Sequence, residues 1–247
     1  MAHRPRIYFA ERIQMAGVVG LDADRAHHLF AVLRLGVGAE VSLFNPRDGE
    51  YRGVITAINK RSASVEITQL LVGVAAIAAR PELTLFFAAV KRDAMDLMVE
   101  KCTELGVSRL QPIITDHTVA GRVGLERLRA IALAAAEQSG RLSVPTVAEP
   151  LSLAEVLSND SQPLFACCEA GEARPILAAV AGMGSVASLG IIIGPEGGFS
   201  PAEFAEFARL THVTRVSMGE VILRCDTAAI AAVALVMNSI LRSPENS

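Results

Sequence analysis

The 247-residue sequence contains no tryptophan, only two tyrosines and only four cysteines. Cys102, Cys167, Cys168 and Cys225 show no metal-ligand spacing, and the adjacent pair cannot be interpreted as a structural disulfide. We therefore interpret them as reduced residues of an ordinary core. No apolar run reaches the ~18 residues that a membrane span requires, and no signal peptide is evident at the N-terminus. These absences predict a cytoplasmic protein without a membrane segment.

Several well-known catalytic and nucleotide-binding motifs are also missing. The sequence has no P-loop and no G-x-S-x-G nucleophile elbow. The segment 182–187 matches G-x-G-x-x-A, but it follows a helical pattern and precedes a strand, which is the reverse of a dinucleotide site, so we predict a helix terminus. His117 and His212 lack the second histidine and the carboxylate that a metal site needs. We expect no metal.

Charge is distributed unevenly along a chain whose net charge is −3. Residues 1–72 contain nine Arg+Lys against seven Asp+Glu, whereas residues 73–247 contain fourteen against nineteen. If the protein binds a polyanion, the N-terminal part is therefore the expected site of first contact. The same difference in charge balance is also compatible with ordinary variation of a solvated surface.

Two patterns divide the sequence. Residues 1–72 alternate like a small β-module, with strands predicted over 40–44, 51–58 and 64–68 and one helix that Asp24 can cap, with His28, Leu29, Val32 and Leu33 on one face. Residues 73–247 alternate strand and helix, which predicts an α/β domain with a largely parallel sheet. Its expected elements are a helix over 125–138, an apolar helix through 241, and strands over 83–90, 109–114, 164–168, 189–193 and 213–216.

The most distinctive stretch is Ile-Ile-Ile-Gly-Pro-Glu-Gly-Gly-Phe-Ser-Pro-Ala-Glu, residues 191–203. A buried strand ends here and a capping-box helix begins at Ser200 with proline in its first turn. Ligands of open α/β sheets bind at this edge, and glycines allow backbone amides to approach a ligand closely. Spacing alone leaves open whether this loop binds a ligand or is only a tight connection.

A second glycine loop, residues 217–224, leads through Arg224 into the last helix, which Asp226 or Thr227 can cap. That helix is apolar on nearly every side, so it must be buried against the sheet or a second subunit.

The sequence resembles the RsmE family. The resemblance is carried by five motifs in order over nearly the whole chain: HHLFAVLRLG (27–36), EKCTELGV (100–107), AEQSGR (136–141), GPEGGF (194–199) and VSMG with ILRCDTA (216–228). It implies a methyltransferase of the SPOUT class that uses S-adenosylmethionine to methylate N3 of one uridine in 16S ribosomal RNA on the small ribosomal subunit. The implied architecture is a PUA-like β-barrel (1–72) followed by a trefoil-knotted α/β domain (73–247), acting as a homodimer.

The resemblance also implies roles for particular residues. The cofactor pocket would be formed by Ile193, Gly194, Glu196, Gly197, Met218, Gly219, Leu223 and Thr227. Arg224 would stabilise negative charge on the uracil, or alternatively pair with Glu196 or Asp226. Asp226, Glu137 and Glu104 are candidate bases, although each is also suited to capping a helix or pairing with an arginine. The expected RNA contacts are Arg25, Arg34, Lys101 and Arg141.

The sequence departs from the family pattern at several positions. Glu220-Val221 stands where Pro-Arg is usual, Cys225-Asp226 where Thr-Glu is usual, Ala94 where Lys is frequent, and Asn45-Pro46 interrupts the usual Phe-Asp-Gly turn. The missing cations put the expected RNA contacts in doubt. Two other functions stay open: a SPOUT methyltransferase acting on transfer RNA or another ribosomal site, and a non-catalytic RNA-binding or assembly factor.

Overall fold

The computed structural model describes residues 4–76, 81–118, 123–159, 161–169, 173–184 and 186–241. These residues divide into two compact units, one within residues 1–79 together with 140–143, and the other within residues 80–139 and 144–247. The domain boundary predicted after residue 72 stays a prediction. Residues 77–80, which come shortly after it, lie outside the described residues.

The first unit is a five-stranded mixed sheet with one short helix. Its elements are β1 (Arg6–Tyr8), β2 (Val18–Leu21), α1 (Ala23–His27), a π-helical turn (His28–Val32), β3 (Glu40–Asn45), β4 (Gly49–Ile58), β5 (Ala63–Val72) and a 3₁₀ turn (Val74–Ala76). The strand order is β1-β3-β4-β5-β2, with β1 parallel to β3 and the other pairs antiparallel. The three predicted strands are confirmed; β1 and β2 are too short to show a period.

The helix that the structure shows in the first unit differs from the predicted helix in two ways. Its N-cap is Asp22, whose side chain accepts a hydrogen bond from the Arg25 amide, so the assignment of the cap to Asp24 was wrong. The chain then continues as a π-helical turn, and the residues predicted to share one face are not alike in burial: Leu29 is buried, whereas Val32 and Leu33 are exposed. The extra residue of a π-turn rotates the following side chains away from an α-helical face.

Asn45 explains how the first unit accommodates its unusual turn between β3 and β4. Its side-chain oxygen accepts hydrogen bonds from the amides of Arg47 and Asp48 at 3.0 and 2.7 Å. Its amide nitrogen donates to the carbonyl oxygens of Phe9 and Glu11. Asparagine therefore closes the turn with side-chain hydrogen bonds, as Asx turns do.

The second unit is a parallel sheet with helices on both faces. Its elements are β6 (Glu82–Ala88), α2 (Arg92–Glu104), β7 (Arg109–Ile114), α3 (Leu125–Gln138), β8 (Thr146–Val147), β9 (Leu151–Ser152), α4 (Leu153–Asn159), β10 (Leu164–Cys167), β11 (Arg174–Pro175), α5 (Ile176–Ala181), β12 (Ser188–Ile193), α6 (Pro201–Arg209), β13 (Val213–Ser217) and α7 (Cys225–Leu241). The order β11-β13-β10-β12-β6-β7-β8 contains only parallel pairs, and β9 also pairs in parallel with β7. The predicted parallel α/β architecture is confirmed.

Both faces of the central strands are buried, which explains their continuous apolar runs. Leu85 and Phe87 of β6 pack in one core cluster with residues of α2 and α7. Phe86, between them, packs on the opposite face with Val156 of α4 and Phe207 of α6. The segment at 182 ends α5, with Gly182 as its C-cap, as predicted.

The start of α7 corrects a second cap. The helix begins at Cys225, so Asp226 lies in its first turn and neither Asp226 nor Thr227 is the residue before the helix. Asp226 Oδ1 instead accepts hydrogen bonds from the amide and hydroxyl of Thr227 at 2.7 and 3.3 Å. α7 packs against α2 and α5.

Among the described residues, we find no helix with the length and apolarity needed to cross a bilayer. The same residues contain no group of three or more histidine, cysteine and acidic side chains arranged to hold a metal ion.

Candidate functional site in the α/β unit

A cavity of about 950 Å³ lies at the carboxyl ends of four neighbouring strands, β13, β10, β12 and β6. Each strand contributes the segment that follows it: residues 218–226 after β13, 167–169 after β10, 193–199 after β12, and the start of α2 after β6. Because the strands are parallel, these segments meet at one edge of the sheet, which is where open α/β sheets bind ligands.

The loop after β12 has a conformation that depends on its glycines. The Gly198 amide donates to the Pro195 carbonyl oxygen at 2.9 Å, and Gly198 has φ +69°, a conformation unfavourable for residues with a side chain. A Cβ on Gly194 would lie 3.0 Å from two carbon atoms of the Phe199 ring. The loop therefore folds back onto Phe199 and presents its backbone to the cavity.

The predicted capping box at the end of this loop is confirmed. Ser200 Oγ accepts a hydrogen bond from the Glu203 amide at 3.2 Å, and Glu203 Oε2 accepts one from the Ser200 amide at 2.7 Å. Proline occupies the first helical position. These bonds fix the point at which the chain leaves the cavity and enters α6.

The structure brings most of the expected pocket residues together. All of the positions proposed for cofactor binding line the cavity except Thr227, which is exposed on α7: Ile193, Gly194, Glu196, Gly197, Met218, Gly219 and Leu223. Arg224 and Asp226 line it too.

Arg224 is exposed at this cavity and, within the part of the chain that the structure describes, its guanidinium makes no ion pair. The salt bridge to Glu196 or Asp226 considered from the sequence is therefore not formed. The Arg224 carbonyl oxygen accepts a hydrogen bond from the Ala228 amide at 2.7 Å, which attaches its backbone to the first turn of α7.

The remaining expected residues lie elsewhere. Glu137 is half-buried in the last turn of α3 and does not line the cavity. Lys101 forms ion pairs with Glu100 at 2.7 Å and with Glu104 at 2.9 Å, and these bonds raise the pKa of its ammonium. Glu104 is thus held by Lys101, outside the cavity lining.

The basic residues expected to contact RNA in the first unit differ in their partners. Arg25 pairs with Asp22 at 2.5 Å. Arg34 is exposed, has φ +55° and makes no ion pair with any residue that the structure describes. Arg141 lies in the 140–143 segment, where its side chain donates to Ser143 Oγ at 3.2 Å and its carbonyl oxygen accepts a hydrogen bond from Arg6 at 2.9 Å.

Three cysteines also line the cavity, which the sequence did not indicate: Cys167, Cys168 and Cys225. Burial raises the pKa of the Cys168 thiol to about 11, and Arg215 opposes this shift. Burial also raises the pKa of Cys225, and the nearby carboxylates of Asp226 and Glu196 add to that shift. At neutral pH these thiols are therefore protonated, unreactive parts of the wall.

Other lining residues were missed because they come from the beginning of α2. Lys91, Asp93, Ala94 and Leu97 all face the cavity. A signal was present, since β6 was predicted as a buried strand and the residues after a parallel strand belong to this edge of the sheet.

Comparison with known proteins agrees with this geometry. Residues 78–237 match the RNA methyltransferase domain family, and residues 21–68 match the RNA methyltransferase PUA domain family. The ribosomal RNA small subunit methyltransferase E of Rickettsia conorii is 34% identical over 233 residues, which cover 94% of each chain.

Solved structures resemble this chain over nearly its full length, and two of them were determined with the methyl donor bound. A protein from Legionella pneumophila in complex with the bound cofactor SAM superposes with TM-score 0.83 at 25% identity, covering 96% of this chain and 98% of the other. A ribosomal RNA small subunit methyltransferase E from Neisseria gonorrhoeae, bound to S-adenosyl methionine, gives TM-score 0.81 at 26% identity with the same coverage. The expected SPOUT-type α/β unit with a PUA-like unit before it is confirmed. The chain is an RNA methyltransferase and belongs to the ribosomal RNA small subunit methyltransferase E family.

Proposed function

We propose that the protein transfers a methyl group from S-adenosylmethionine to N3 of one uridine in 16S ribosomal RNA, on the assembled small subunit. The observation that carries this proposal is the single cavity into which two glycine loops, Arg224 and Asp226 all converge. The ligands named for the relatives from Legionella and Neisseria support the cofactor, and the names of the relatives from Rickettsia and Neisseria support the substrate.

The cavity lining fits the proposed cofactor. Its volume lies at the upper end of the roughly 300–1,000 Å³ typical of small-molecule sites. Its charged residues are four carboxylates against two cations, which favours a ligand with net positive charge such as S-adenosylmethionine; they are Asp93, Glu169, Glu196, Asp226, Lys91 and Arg224. Ile193, Met218 and Leu223 offer apolar contacts for an adenine ring. When bound, this cofactor would supply an electrophilic methyl group.

The chain must also make uridine N3 nucleophilic. N3 holds a proton at neutral pH, and negative charge spreads to the uracil oxygens as that proton leaves. A guanidinium stays protonated and offers a planar set of donors, so Arg224 would stabilise this charge. The absence of an ion pair at Arg224 among the described residues supports this role, because its donors are available to a substrate.

Asp226 is the best candidate for the group that accepts the N3 proton. Its Oδ1 is held by Thr227, while its Oδ2 has no hydrogen-bond partner in the described part of the chain. One oxygen would thus orient the carboxylate and the other would be available to substrate. Glu137 remains a weaker candidate because it does not line the cavity.

For RNA binding, we propose Arg34 as the main contact of the first unit and Arg141 as a second contact. Each arginine that neutralises a phosphate should add about one unit to the salt dependence of binding. Arg25 and Lys101 should contribute less, because binding RNA would require them to give up existing carboxylate partners.

We further propose a homodimeric, cytoplasmic enzyme with a trefoil knot in its α/β domain and a PUA-like domain over residues 1–72. The dimer is supported by α7, on which Ile230, Leu235 and Ile240 are only half-buried. A second copy could cover these side chains. Sedimentation equilibrium at micromolar concentration tests this directly, and a purely monomeric protein would contradict it.

The experiment for the main proposal uses small ribosomal subunits from cells that lack the protein. Subunits are incubated with purified protein and labelled S-adenosylmethionine, and the modified position is located by reverse-transcription stops, since N3 methylation blocks the Watson–Crick edge. We expect a stop at one uridine. Arg224→Ala should lower the rate about 10²–10³-fold, as removal of one charge-stabilising donor typically does.

Arg209→Ala is the matched control. Arg209 is an exposed arginine on α6, paired with Glu206 at 2.8 Å, and does not line the cavity. It should leave the rate unchanged. Label entering transfer RNA would instead favour the alternative RNA substrate. Cofactor binding without transfer to any RNA would favour an assembly factor.

A further inference from the structure

A loop that does not line the cavity contacts the glycine loop that does. This loop, residues 115–118, follows β7 and is shaped by its two threonines. The Thr115 amide donates to Thr118 Oγ1 at 2.9 Å, the Thr118 amide donates to the Thr115 carbonyl oxygen at 3.0 Å, and the two hydroxyl oxygens lie 2.8 Å apart. We call it the 115–118 loop.

Its first contact is a closed set of hydrogen bonds with the start of α6. The Asp116 amide donates to Glu203 Oε1 at 3.0 Å, and Ser200 Oγ donates to Asp116 Oδ2 at 2.5 Å. Since Glu203 Oε2 already accepts from the Ser200 amide, each oxygen of this buried carboxylate binds a backbone amide from a different segment. Hydrogen bonds therefore join the point where the glycine loop ends and α6 begins to the loop that follows β7.

Its second contact reaches the glycine loop itself. His117 Nδ1 lies 3.2 Å from the Gly197 carbonyl oxygen and 3.1 Å from that of Gly198. Carbonyl oxygens only accept hydrogen bonds, so Nδ1 carries a proton and donates to both. A Cβ on Gly197 would be 3.4 Å from the His117 Cβ, so the side chain also packs against the loop.

We propose that His117 is a positioning residue that holds the glycine loop in its ligand-binding conformation before the cofactor arrives. A segment with glycines at 194, 197 and 198 has much conformational freedom, and ordering it on binding would lower affinity. A loop that is already ordered avoids that loss. This inference rests on the proposed function, because it takes S-adenosylmethionine as the ligand of the cavity.

Two variants with the same branched skeleton of side-chain heavy atoms separate the hydrogen bond from the packing. In His117→Asn, the amide NH₂ can take the place of Nδ1–H, whereas His117→Leu has the same number and branching of side-chain heavy atoms as asparagine and has no donor. S-adenosylmethionine affinity is measured by calorimetry on the full chain. We expect His117→Leu to raise Kd about threefold to tenfold, the effect of one ordinary hydrogen bond, and His117→Asn to stay within about twofold of the parent.

Two further readouts distinguish positioning from general destabilisation. The methylation rate at saturating cofactor should be similar in both variants, so that the leucine effect appears in the KM for the cofactor and not in kcat. Amide hydrogen exchange in residues 194–199 of the ligand-free protein should be faster in His117→Leu than in His117→Asn. Because His117 is exposed, both variants should keep the melting temperature of the parent within a few degrees.

The outcomes separate this inference from the proposed function. If the parent protein binds S-adenosylmethionine and both variants bind it equally well, the positioning role is wrong while the proposed function stands. If both variants lose affinity equally, the hydrogen bond is not the cause and the inference is also overturned. If the parent protein does not bind S-adenosylmethionine at all, the proposed function itself fails, and the inference with it.

Discussion

Gly194 offers a sharp test of how the glycine loop is built. A Cβ at this position would lie 3.0 Å from Cε2 and Cζ of Phe199, closer than ordinary van der Waals contact. The Phe199 ring has little room to retreat, because it is only 7% exposed and makes edge-to-face contacts with Phe207 and Phe204 at centroid distances of 4.9 and 6.0 Å. Gly194→Ala should therefore force several packed rings to move.

The expected cost is about 2 kcal/mol of unfolding free energy, within the range for overpacking a well-filled core. For a chain of this length that corresponds to a decrease of roughly 4–8 °C in Tm. Gly197→Ala is the matched control in the same loop. Its new Cβ would contact three atoms of His117, of which the nearest is Cβ at 3.4 Å; these are ordinary contacts, and the φ of Gly197 does not require glycine. It should change stability by less than about 0.5 kcal/mol.

The assay is thermal and urea unfolding of both variants without ligand, together with the single variant Phe199→Leu and the double variant Gly194→Ala, Phe199→Leu. If the ring is the obstacle, shortening it should make the alanine less harmful than it is beside phenylalanine, which gives a non-zero coupling energy in the mutant cycle. Equal stability of the two alanine variants, or strictly additive effects in the cycle, would refute this explanation of the loop.

Two further predictions concern ionisation and a buried ion pair. Burial raises the pKa of the Cys168 thiol from 9.0 to about 11, so the folded state keeps a proton that the unfolded chain releases. The resulting stabilisation of about 3 kcal/mol is complete below pH 9, is lost between about pH 9 and 11, and should vanish from the pH dependence of unfolding in Cys168→Ala. An unchanged slope in that variant would contradict it. Glu50→Gln should cost about 3 kcal/mol, because it breaks a pair with Arg6 in which both side chains are nearly buried. Glu40→Gln, at an exposed partner of Arg4, should cost less than about 1 kcal/mol, and equal losses in urea unfolding would contradict the argument.

Much of the secondary structure was predictable because it depends on local pattern. The strand over Arg109–Ile114 and the helix over Leu125–Gln138 agree with the sequence prediction to the residue. The capping box at Ser200 was also predictable, because its partners lie three residues apart. Local rules failed where two choices were equally good locally: Asp22 and Asp24 are both suitable caps, and only the point at which the chain leaves β2 decides between them.

The candidate site was predictable in part. The glycines, Arg224 and Asp226 stand in segments after predicted strands, where a ligand loop and a tight connection were both open from spacing, and the family resemblance implied the ligand pocket. The contribution of α2, Cys167 and Cys168 came from the sheet order β13-β10-β12-β6, which places segments distant in sequence side by side. Strand order is not encoded in the period of any one strand, so the sequence indicated that the residues after β6 lie at this edge of the sheet but not that they border the same cavity as the two glycine loops.

The sequence by itself determined the two patterns of the chain, the parallel α/β class of the second part, the positions of the glycine loops and, through its motifs, the family. Only the tertiary structure decided which segments meet at the cavity and how its loops are held. Glu203 illustrates the difference: its bond to Ser200 is local, whereas its bond to the Asp116 amide joins residues 87 positions apart. Such a contact depends on where the folded sheet places the end of β7, and no local interaction specifies that position.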